Sequence, residues 1–87
     1  MRVSVTQADI TCGQRRSSCN CPVANAIKRS YEVSYIACGQ NTVDIKLRSA
    51  ERIVSYQLPS FVSLRISMYD ASGVMEPFEF ELTEAKQ

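Results

Sequence analysis

The chain has 87 residues, 45% of them hydrophobic, and a formal net charge of +1. That is enough for one domain over 1–87, too apolar for a disordered chain and too nearly neutral for bulk electrostatic binding of nucleic acid. Apolar runs extend only a few residues, so no membrane span is expected. Histidine is absent, which removes the commonest general base and the usual activator of a nucleophilic thiol or hydroxyl.

The amino-terminal "MRVSVTQADI" has no extended apolar core or small-residue cleavage site and is not read as a secretory signal. Four cysteines in a reducing compartment are expected to be thiols rather than a disulfide framework. Charge is uneven: residues 1–65 hold nine Lys or Arg against four acids, and residues 66–87 one Lys against five. Two solvated faces that cancel on folding account for this more simply than two binding surfaces.

In chain order, Val3 and Val5 alternate with polar neighbours and predict a strand over 2–6. Thr6 to Asp9 is spaced as a capping box, and Gly13 is expected to close the short helix in a left-handed conformation. Residues 13–20, "GQRRSSCN", form a polar loop. Pro22 suits the first position of a helix over 22–31 with Cys21 as its N-cap, and Val23, Ala24, Ile27 and Tyr31 share a face. Two alternating runs around "GQN", whose Gly39 and Asn41 tolerate positive φ, predict a hairpin at about 33–48. A strand follows at about 51–58 and another at about 77–83.

Residues 60–70 fit two patterns. Val62, Leu64, Ile66 and Met68 alternate as in a strand, slightly the better match. Val62, Ile66 and Tyr69 also follow i, i+4, i+7, with Ser60 as N-cap and Gly73 as terminator.

Taken together, Cys21-Pro22-Val23-Ala24, Leu58-Pro59, Val62-Ile66-Tyr69-Asp70, Gly73 and Pro77-Phe78-Glu79-Phe80 resemble the pattern of a group of small, mostly uncharacterised bacteriophage proteins. Asn25 departs from it, standing where an apolar residue is typical. The resemblance implies a helix at 60–70, taken at about 60–71 in the expected fold, and a protein working in the host cytoplasm; no activity is carried over with it.

The expected fold is α+β, with two helices on one face of a single mixed or antiparallel sheet of four to five strands. The expected core is Val3, Val5, Val23, Ile27, Tyr31, Val43, Ile45, Leu47, Val54, Tyr56, Val62, Ile66, Tyr69, Phe78 and Phe80. Ile36, Ile53 and Leu58 are expected to be partly exposed, where a homodimer would form.

Cys12, Cys19, Cys21 and Cys38 are the candidate zinc ligands, but Cys19 and Cys21 are too close for the usual knuckle and the other two stand alone. The same two also suggest a redox pair, while helix capping by Cys21 is the plainer role. Arg15, Arg16, Lys28 and Arg29 are the candidate partner-binding residues, and reversing the charge of Arg15 and Arg16 is expected to leave the melting temperature nearly unchanged.

With no cofactor expected, the chain reads as a non-enzymatic inhibitor or adaptor for a host protein, an anti-defence role being one version. A nucleic-acid module using the basic patch, and a cysteine-based redox or zinc-stabilised protein, are the alternatives.

Overall fold

The computed structural model describes residues 1–85. Strand β1 (Arg2–Val5) buries Val3 and Val5. Helix α1 (Gln7–Thr11) begins with the expected capping box: Asp9 N–H donates to Thr6 Oγ1 at 3.4 Å, and Thr6 N–H donates to Asp9 Oδ2 at 2.9 Å. Gly13 does not adopt a left-handed conformation. Its role is room instead, since a Cβ there would lie 2.8 Å from Pro22 Cγ and Cδ.

Helix α2 (Pro22–Ser30) starts at Pro22, with the Cys21 sulfur accepting from Ala24 N–H at 3.4 Å. It buries Val23, Ala24, Ala26 and Ile27 against β1 and against strand β2 (Val33–Cys38). Strands β2 and β3 (Thr42–Leu47) form the hairpin, with Gly39 N–H donating to Thr42 O at 2.8 Å and no positive φ in the turn. A register shift between Val33 and Tyr35 interrupts the β2–β3 pairing. Such a bulge changes which side chains point inward, so Val33 packs on the core although Ile36, three residues on, is buried in it.

Strand β4 (Val54–Gln57) pairs with β3, and Leu58 behind it is buried. Helix α3 (Ser60–Ser72) then replaces the strand that alternation favoured, as the phage-protein pattern implied. Pro59, not Ser60, is its N-cap, and Gly73 ends it at φ 76°. The alternating apolar residues separate between two sides of the helix: Val62 and Ile66 join Tyr69 in the core, while Leu64 and Met68 are exposed. Helical geometry, turning about 100° per residue, puts positions two apart on nearly opposite sides. Alternation here records two apolar faces.

Strand β5 (Phe78–Glu81) pairs antiparallel with β1, Val3 opposite Phe80. Strand β6 (Thr83–Glu84) pairs with β4, Gln57 opposite Thr83. The class is α+β, but the described residues form three helices and two antiparallel sheets, ordered β1-β5 and β2-β3-β4-β6, in place of the single expected sheet. The change of sheet occurs at Leu82, which is buried and belongs to neither ladder.

Ten of the fifteen expected core residues are buried; Tyr31, Leu47, Val54, Tyr56 and Phe78 are half-buried. Ile36 and Leu58, expected near the surface, are buried in the core instead, whereas Ile53 is exposed. No helix among the described residues is long and apolar enough to cross a membrane.

Candidate functional site

The four basic residues are engaged by different parts of the protein. Arg15 lies across the C-terminus of α3, donating from Nε and Nη2 to Asp70 O at 3.1 and 2.9 Å and from Nη2 to Ala71 O at 2.7 Å. Those carbonyls belong to the last turn, where a helix leaves acceptors unused. Arg16 follows with φ 58°, and its N–H donates to Asp70 Oδ1 at 2.8 Å. Lys28 Nζ donates to Asn20 Oδ1 at 3.1 Å.

Arg29 is committed to Asp9, from Nε to Oδ1 at 3.1 Å and Nη2 to Oδ2 at 3.0 Å, with a further bond to Ser4 O at 2.8 Å. Burial opposes ionisation of Asp9, but Arg29 and the two Thr6 donors outweigh it and hold the carboxyl below its ordinary range. Arg15 and Arg29 thus have structural work, and reversing the charge of Arg15 is no longer expected to leave stability untouched.

The cysteines also group differently from their spacing. Cys12 is exposed just beyond α1, and the Cys19 thiol donates to Ile36 O at 3.4 Å beside Lys28 and Tyr35. Cys21 and Cys38 instead line one small cleft with Arg16, Ser18, Ile66 and Asp70. All four are free thiols.

The Cys38 thiol donates to Gly39 O at 3.7 Å, and its nearness is the main influence holding the Cys21 thiol down to about 7, helped by Ala24 and Val23 N–H and opposed by burial and by Asp70. The neighbouring Cys21 sulfur and burial push the Cys38 thiol up. No group of three Cys, Asp or Glu converges to hold a metal among the described residues. Nothing local in the sequence signals this pair, because the two meet only when the end of β2 reaches the start of α2.

Sequence reasoning also missed an apolar surface. Phe61, Leu64, Met68 and Val74 are exposed, and with Arg65, Met75 and Glu76 they line a groove of about 470 Å³ along the outer face of α3 and the segment that follows it. Beside the groove, Phe61 meets Phe78 edge-on at 6.1 Å, Phe78 stacks on Phe80 at 5.7 Å, and the Arg65 guanidinium lies 4.8 Å from the Phe78 ring centre. Among the described residues, Arg65 has no carboxylate within ion-pair distance. The signal was present in the sequence as the second half of the alternation in 62–68.

Comparison with protein-family models, curated proteins and solved structures gave no match.

Proposed function

We propose that this chain is a small, non-enzymatic interaction protein of bacteriophage type, an inhibitor or adaptor that docks on a host protein in the cytoplasm. The observation that carries this reading is one groove where Phe61, Leu64 and Met68 of α3 and Val74 just beyond it stand exposed. Scattered surface apolar residues need no explanation, but a contiguous set rimmed by polar groups marks an interaction surface. Its occupant is a partner segment with apolar side chains for the groove and a carboxylate for Arg65, whose charge has no ion-pair partner among the described residues.

The motif resemblance supports a host protein as that partner. The internal engagement of Arg15 and Arg29 lends less support to a nucleic-acid module.

The test places a photo-crosslinking amino acid at Leu64, with Lys46 on β3 as control position, and exposes the protein to bacterial host lysate. One host protein joined in stoichiometric yield at Leu64 and absent at Lys46 is expected, and L64E/M68E should abolish its binding while the protein remains folded. Crosslinks only between two copies of this chain, or salt-sensitive retention on nucleic acid with no protein adduct, would replace the reading.

A further inference from the structure

We infer that Cys21 and Cys38 form a reversible dithiol–disulfide site, oxidised by a small hydroperoxide that enters the cleft beside Arg16, Ser18 and Asp70. Cys21, capping α2, and Cys38, ending β2, come from separate elements and line the same cleft of about 260 Å³. Cys21 is 3% exposed, which shuts out a bulky oxidant, while Cys38 is partly open to the cleft. The backbone around them is held: Cys38 N–H donates to Ser18 O at 2.8 Å, and Asp70 is tied to Arg16 N–H. Cys19 is turned to a different cleft by its bond to Ile36 O.

Thiolate is the reactive form of cysteine, and the neighbours of Cys21 favour it close to neutral pH. The Cys21 sulfur attacks one peroxide oxygen and the O–O bond breaks. This leaves Cys21 as a sulfenic acid and releases water or an alcohol, which takes the original thiol proton. The Cys38 sulfur then attacks the Cys21 sulfur, the S–O bond breaks, and the departing hydroxide leaves as water with the Cys38 proton. Two thiols have supplied two electrons to one peroxide, and an external dithiol reverses the change by exchange.

The test treats the native protein with about one equivalent of hydrogen peroxide, blocks remaining thiols with iodoacetamide, and maps the digested protein without reduction. Because Cys19 and Cys21 share a tryptic peptide, fragmentation between them must assign the link. The expected product joins Cys21 to Cys38, leaves Cys12 and Cys19 alkylated, and disappears with dithiothreitol. In C38S, Cys21 should stop at the sulfenic acid and be trapped by dimedone. Oxidation first at Cys12 or Cys19, a Cys19–Cys21 link, or a Cys21–Cys38 link that forms only in urea each overturns the inference.

Discussion

Asp9 in the first turn of α1 and Arg29 in the last turn of α2 meet through two parallel hydrogen bonds, 3.1 and 3.0 Å long. The same guanidinium reaches Ser4 O on β1, so one side chain ties together three elements close to the amino terminus. Asp9 is the single buried charged residue among those described, and it is matched on both sides, by Arg29 and by Thr6.

Asp9→Asn keeps the shape and removes the charge, and should destabilise the fold by about 2 kcal/mol, the scale of hydrogen bonds to a charged group. The pH dependence has a definite sign. The folded carboxyl is held below its unfolded value, so its contribution is complete above about pH 4, the unfolded range, and is lost as pH falls through the folded value. Urea unfolding across the acid range should show this loss in the native chain and a flatter limb in the Asn variant. Equal acid limbs for the two proteins would remove Asp9 from the account.

Arg15 and Arg16 should respond in opposite directions. Arg15→Ala removes three bonds to the last turn of α3 and should cost about 1 kcal/mol, with a fall in Tm of roughly 5 °C. Arg15→Lys should restore little, because an ammonium cannot reproduce the fork of a guanidinium. Arg16 holds a left-handed backbone at φ 58°, and its side chain makes no hydrogen bond among the described residues. Arg16→Gly should therefore be neutral or stabilising by up to about 1 kcal/mol, the strain relieved exceeding the entropy added to the unfolded chain. Calorimetry on the three variants checks the ordering.

Gly13 and Pro22 should be coupled. A Cβ at position 13 meets Pro22 Cγ and Cδ at 2.8 Å and Asp9 O at 3.1 Å, so Gly13→Ala should destabilise by about 1–3 kcal/mol through overpacking. Trimming the ring with Pro22→Ala should recover part of that loss in the double variant. Denaturant unfolding of the double-mutant cycle measures the coupling, and strict additivity would show that the clash is with backbone Asp9 O instead.

The capping box at Thr6 and Asp9, the proline start of α2 and the alternation in β3 were all legible in the sequence, because each is set by groups a few residues apart. Local spacing also placed Val62, Ile66 and Tyr69 on one side of α3, once the helix was taken from a whole-chain pattern. What local spacing does not contain is which distant groups meet. Arg15 looked free until the end of α3 arrived beneath it, and Arg29 looked unpaired until Asp9 came within reach. Cys21 was legible as the cap of α2, but that Cys38 lines the same cleft was not, because β2 runs back along α2 and ends at that helix's first turn. Division into two sheets was likewise unreadable, since it depends on one buried residue, Leu82, falling between ladders that pair with strands far apart in the chain. Periodicity and capping are short-range and act within one segment, whereas sulfur pairing, ion pairing and sheet partition are long-range and take form only when the chain closes on itself.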